Sequence, residues 1–101
     1  MIKHIVFWKM QDFAEGNTKD KNIEYLFEEL TEIKKEFPLL RNLSCHKSIR
    51  TGDHFWDLVL EMEFDSFDDL QKYQVYPRHA ALHAFAVKVR QDRAVVDYLI
   101  D

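Results

Sequence analysis

Residues 2–10, IKHIVFWKM, alternate along the chain. Ile2, His4, Val6, Trp8 and Met10 share one side, and Lys3, Ile5, Phe7 and Lys9 share the other. Both sets are partly apolar and rich in β-branched and aromatic residues, which predicts a strand covered on both faces. Residues 11–17 hold turn formers and a glycine and predict a loop, with Asn17 or Thr18 capping the next element. From Thr18 to Phe37 the apolar positions Ile23, Leu26, Phe27, Leu30, Ile33 and Phe37 keep one helical stripe. Glutamates and lysines fill the other side, and Pro38 ends the helix. Residues 40–50 read as a weaker strand, Thr51-Gly52-Asp53 as a hairpin-like turn, and residues 55–64 as a stronger strand. In that stronger strand Leu58, Leu60, Met62 and Phe64 face one way and Asp57, Val59, Glu61 and Glu63 the other.

Ser66, with Asp69 three residues on, opens a second helix carrying Phe67, Leu70 and Tyr73. Pro77 breaks it, and a further helical piece runs from about Arg78 to Arg90 with Leu82, Phe85 and Val89 on one side. Residues 93–100 alternate again as a closing strand. The order β-α-β-β-α-β predicts an α+β, ferredoxin-like domain over residues 1–101. Helices then cover one face of the sheet. The other face would carry Ile5, Phe7, Val59, Val95 and Leu99 among Lys3, Lys9, Glu61, Glu63 and Asp97. An apolar patch of that extent predicts a second copy of the chain against it, as a homodimer.

Composition narrows the function classes. Fourteen basic against eighteen acidic residues give a net charge of −4, which disfavours a general nucleic-acid binder. Lys3 and Lys9 also point away from Trp8, so no base-stacking platform is expected. No apolar run approaches the ~18 residues of a membrane span, and no secretory leader pattern opens the chain. A single cysteine, Cys45, suits a reducing compartment, so a cytoplasmic address is expected. Mid-strand, with His46 on the opposite side, Cys45 reads as a small hydrophobe rather than a nucleophile.

Four stretches carry a resemblance to a known family: Lys3-His4-Ile5-Val6 with Trp8-Lys9; Asp57 to Phe64; Leu70-x-x-Tyr73-x-x-x-Pro77-x-His79; and Arg93 to Tyr98. In this order, end to end, the chain resembles the stress-responsive dimeric α/β barrel, or Dabb, proteins. The resemblance implies a ferredoxin-like monomer whose sheet pairs with a second copy into a barrel, and a stress-response or housekeeping role. Some relatives are polyketide cyclases, in which a strand histidine and the tyrosine and histidine flanking the proline line a pocket; His4, Tyr73 and His79 match them. A second strand histidine of that pattern is Leu58 here, and Tyr76 precedes the proline.

Two functions are compatible with these residues. In one, the protein binds a hydrophobic or aromatic small molecule in a cavity between sheet and helices, lined by Trp8, Leu58, Met62 and Phe85. In the other, His4, Tyr73 and His79 form an acid–base site. A neutral imidazole removes a proton α to a carbonyl, and a phenol hydrogen-bonds the developing oxyanion. The enzyme reading needs an open pocket of roughly 300 Å³ or more. Dimeric α/β barrels also include haem-degrading and quinol-forming monooxygenases, for which His79 or His83 would be the axial ligand. His79 and His83 share a helix face and would need His4 as a third metal ligand. Neither a metal nor a cofactor is expected.

Overall fold

The computed structural model describes residues 1–100. The first strand, β1 (Ile2–Met10), lies inside a four-stranded antiparallel sheet. After it come a short hairpin, β2 (Phe13–Ala14) and β3 (Asn17–Thr18), and the long helix α1 (Lys19–Glu36). Then come β4 (Asn42–Lys47), β5 (Leu58–Phe64), α2 (Phe67–Val75), α3 (Pro77–Val89) and β6 (Arg90–Leu99). The sheet order is β4-β5-β1-β6, and all three helices supply the apolar stripe that covers one face. This is the expected ferredoxin-like α+β arrangement.

Local chemistry sets the element ends. The Thr18 hydroxyl accepts from the Lys21 N–H at 3.3 Å, and the Ser66 hydroxyl accepts from the Asp69 N–H at 3.2 Å. Each satisfies one orphan donor at a helix start. Pro77 occupies the first turn of α3, where it lacks nothing the helix needs, and the chain bends between Val75 and Pro77. The Tyr76 phenol donates to Glu36 at 2.9 Å, and the Arg78 guanidinium holds Glu29 at 2.9 Å and also Glu36. These bonds clamp the bend onto the end of α1.

The core is one cluster. Ile23, Leu26, Leu30 and Ile33 of α1 pack with Leu70, Leu82, Ala86 and Val89 against Val6, Met10, Leu58, Leu60, Met62 and Phe64. The strict alternation of β1 and β5 assigned these sheet residues to the helix side, and burial agrees. No described helix is long and apolar enough to cross a membrane.

Four expectations need correction. Residues 11–17 are not a plain loop: Phe13 pairs with Thr18 and Ala14 with Asn17. Glu15 and Gly16, both at positive φ, make the tight turn that antiparallel strands favour. Residues 51–53 do not form a hairpin turn between paired strands, because β4 ends at Lys47 and β5 starts at Leu58. The connection folds back on β1 instead. The Lys9 ammonium donates to the carbonyls of Gly52 (2.8 Å) and Phe55 (3.0 Å), and Arg50 lies 4.3 Å above the Phe55 ring centre. Buried Asp57, read as an open-face strand residue, lies just before β5; it accepts from the Met10 N–H at 2.6 Å and pairs with Lys19.

The fourth correction concerns β6, which starts at Arg90 rather than Arg93. It pairs with β1 so that Val95 opposes Val6, Asp97 opposes His4 and Leu99 opposes Ile2. Directly opposed residues share a face. Val95, Asp97 and Leu99 therefore lie on the helix side, and Ala94, Val96 and Tyr98 take the open face. Both parities of this strand carry apolar residues, so its pattern alone left the side undecided.

Leu30 is fully enclosed between α1 and the sheet. Leu30→Ala is expected to lower the unfolding free energy by about 2–5 kcal/mol in a denaturant titration, the usual range for truncating a core leucine.

Candidate functional site

The helix-side face of β1 is apolar except at His4, which is buried at 4% exposure. A histidine there needs a partner. The β1–β6 register supplies one: Nδ1 of His4 donates to the Asp97 carboxylate. The bond fixes the ring, and Nε2 is then the free nitrogen of the neutral form. A carboxylate that holds an imidazole by Nδ1 is the arrangement that orients a histidine base.

Tyr73 and His79 meet by a different route. Tyr73 lies in the last turn of α2, His79 in the first turn of α3, and the clamped bend at Pro77 brings their rings together with centres 4.2 Å apart. Nδ1–H of His79 donates to the Gln74 carbonyl at 3.1 Å, which satisfies an end carbonyl of α2. Its Nε2 is thereby free as well. Burial holds the His79 imidazole below the ordinary histidine value of 6.5, with the charges of His83, His4 and Arg93 adding to the effect. Burial also pushes the Tyr73 phenol well above its ordinary value, so it stays a proton donor at neutral pH.

His4, Tyr73 and His79 line one enclosed cavity of about 30 Å³ with Trp8, Met62 and Leu82, and His83 and Arg93 also border it. Room for a water needs about 10–15 Å³, so this space suits one or two waters and not an aromatic ring. The pocket of roughly 300 Å³ expected for an enzyme is absent here, because Trp8 and Met62 project into the space. Leu58 and Phe85 do not line it. Leu58 is buried in the core, and Phe85 stacks edge-on against Tyr25 at 4.9 Å in a separate surface groove between α1 and α3.

Asp97 was missed as a site residue because the alternation of β6 fits both faces. The signal available was the need of an inward histidine for an acid. Arg90 and Arg93 were also missed. Arg93 opposes Trp8 across the ladder, and the Arg90 guanidinium sits 5.8 Å from the Trp8 ring centre. His79 and His83 lie 6.3 Å apart, centre to centre, and among the described residues no three His, Cys, Asp or Glu side chains converge as a metal site. Cys45 lies in β4, and burial raises its thiol to about 11.

The sequence model described as Stress responsive A/B Barrel Domain (Dabb) matches residues 2–100. The chain belongs to the Dabb family. Solved structures of similar fold include a dimeric ferredoxin-like protein of unknown function from Thermobifida fusca, 23% identical. It has a TM-score of 0.82, over 98% of this chain and 90% of that one. A dimeric ferredoxin-like protein from Bacteroides fragilis is 24% identical over 98% and 95%, with a TM-score of 0.75. The hydroxynitrile lyase of Passiflora edulis is 14% identical over 99% and 93%, with a TM-score of 0.79. No curated protein matches this Dabb chain in sequence.

Two measurements test this geometry. The His79 ring is expected to titrate below 6.5 by NMR. Since the folded protein then holds fewer protons than the unfolded chain below that pH, stability should fall as pH drops from about 6.5, and His79→Gln should flatten that fall. Cys45 is expected to react slowly with a disulfide reagent at pH 8, where a thiol near 11 is ionised in about one molecule per thousand. Labelling at the rate of a free thiol would contradict its burial.

Proposed function

We propose that this Dabb protein is a homodimeric acid–base catalyst acting on a small carbonyl compound between β1 and the α2–α3 bend, where the cavity, too small for a substrate as it stands, opens by movement of the side chains at its edge. The observation that carries the reading is buried His4 at the cavity wall, held by the partly exposed carboxylate of Asp97. A histidine with its Nδ1 held by a carboxylate and its Nε2 free is equipped to take a proton. Nε2 of His4 removes a proton from the carbon next to the carbonyl. The Tyr73 O–H hydrogen-bonds the oxygen on which charge develops, and the proton returns to carbon from the same imidazole. The neutral His79 takes up or returns a proton on the oxygen side.

Cavity size selects the substrate. An aromatic ligand needs a space several times larger, about 150 Å³ for benzene. A substrate of a few carbons requires only that Met62, which is flexible, and the exposed His83 at the rim move aside. The likeness to a hydroxynitrile lyase concerns the fold, and function is argued from the site. The family description supplies the setting of a stress response, and a lone, half-buried thiol suits the cytoplasm.

The open face of the sheet supports the dimer. Ile5, Phe7, Val59, Val96 and Tyr98 lie on the side without helices, with Val96 54% and Tyr98 43% exposed. The two ferredoxin-like neighbours are described as dimeric. Light scattering should give the mass of two chains, and Val96→Asp should give one chain with an unchanged circular-dichroism spectrum. A wild-type monomer would contradict this assembly.

The chemistry is tested by the exchange of acetone methyl protons in D₂O, followed by NMR. Wild-type protein should accelerate exchange over its His4→Gln variant by ~10²-fold or more, the low end for a positioned base. Asp97→Asn should retain only part of that rate. No acceleration over buffer would reduce the site to a satisfied core histidine.

A further inference from the structure

Two arginines stand at one side of the cavity in a protein that is negative overall: Arg93 on its lining and Arg90 beside Trp8. Net charge is −4, yet β1 and α3 contain no Asp or Glu at all. Arg93 borders the cavity together with His83, and Arg90 lies on Trp8. Neither arginine has a carboxylate within ion-pair distance among the described residues. The acids of β6 are committed elsewhere. Asp97 holds His4, and Asp92 opposes Lys9 and accepts the backbone N–H of Arg93.

Two buried donors at this place lack an acceptor: Nη1 of Arg90 and Nε1 of Trp8. Trp8 is only 6% exposed. Buried N–H groups are ordinarily paired, and each exception calls for a reason. Arg90 is not loosely held. It joins α3 to β6, its backbone N–H donates to the Ala86 carbonyl, and its carbonyl accepts from the Gln11 amide. Its guanidinium is therefore kept beside Trp8, partly desolvated, with a free donor. Burial and Arg93 both hold its pKa below the ordinary arginine value, and burial, with both arginines adding to it, holds His83 below the ordinary histidine value.

We propose that the substrate is a small oxo-carboxylate, its carboxylate received by Arg90, Arg93 and the Trp8 N–H while its carbonyl end meets His4, Tyr73 and His79. This rests on the acid–base reading and narrows its substrate class. A planar guanidinium is matched to a carboxylate, and the small cavity excludes a bulky anion. The carboxylate supplies binding and orientation at one end, so the proton removed by His4 is the one on the far side of the carbonyl.

Pyruvate and acetone serve as matched probes, differing in the carboxylate. Binding is followed through the indole N–H signals, with Trp8 distinguished from Trp56 by Trp8→Phe, and through methyl-proton exchange in D₂O. Pyruvate is expected to shift the Trp8 signal and to half-saturate at a concentration at least tenfold below acetone's. Arg90→Gln should erase that difference, Arg93→Gln should reduce it, and Arg90→Lys should restore part of it. Circular dichroism checks the fold of each variant, and exposed Arg93 gives a test that does not disturb a buried group. Equal half-saturation by both probes, with exchange still dependent on His4, would overturn the carboxylate site and leave the acid–base reading standing. Exchange of neither probe would overturn both.

Discussion

The first and last strands of this chain are paired along almost their whole length, and the consequences of that pairing run through the molecule. β1 cannot be an edge strand, because β6 closes its free side and draws the termini together; the Ile100 N–H reaches the Met1 carbonyl at 2.9 Å. The same register decides what stands inside. One residue of slip would turn Asp97 to the open face and leave His4 buried without an acid. It would also separate Arg93 from Trp8. Core, site and open face are therefore three results of one alignment, set by contacts about ninety residues apart in sequence.

Sequence patterning reached the elements of this fold because they are locally encoded. The α1 stripe, the alternation of β1 and β5, the Ser66 cap and the Pro77 break each depend on neighbouring residues, and each is present in the structure. The topology followed from their order. The parity of β6 did not follow, because Val95 and Leu99 on one side balance Ala94, Val96 and Tyr98 on the other. Only pairing with β1 resolves it. The turn at Glu15-Gly16 was hidden for another reason: strands of two residues are too short to show a period.

At the site, residue types were legible and volume was not. His4, Tyr73 and His79 were singled out by resemblance, and the structure brings all three to one cavity. Phe85 shared a helix with His79 and was assigned to the same space. A helix turns about 100° per residue, and six residues on from His79 the side chain points toward Tyr25 on α1. The size of the cavity depends on how Trp8 and Met62 pack, which no spacing reveals. Three polar groups in or beside it share one feature: each has one end fixed by the fold and another left open. Nδ1 of His4 is held by Asp97, and Nδ1 of His79 by Gln74. Arg90 is anchored through its backbone while a guanidinium nitrogen stays unpaired. Groups fixed this way need little reorganisation when a reacting molecule arrives.

The central claim is that Asp97 holds His4 as an oriented base rather than as a packed core residue. Nitrogen-15 NMR of the histidine rings reads this directly, since protonated and lone-pair nitrogens give distinct shifts. The account predicts that neutral His4 carries its proton on Nδ1, in a strongly downfield hydrogen bond lost in Asp97→Asn, with Nε2 unprotonated. A proton on Nε2, or a His4 spectrum unchanged by Asp97→Asn, would contradict it.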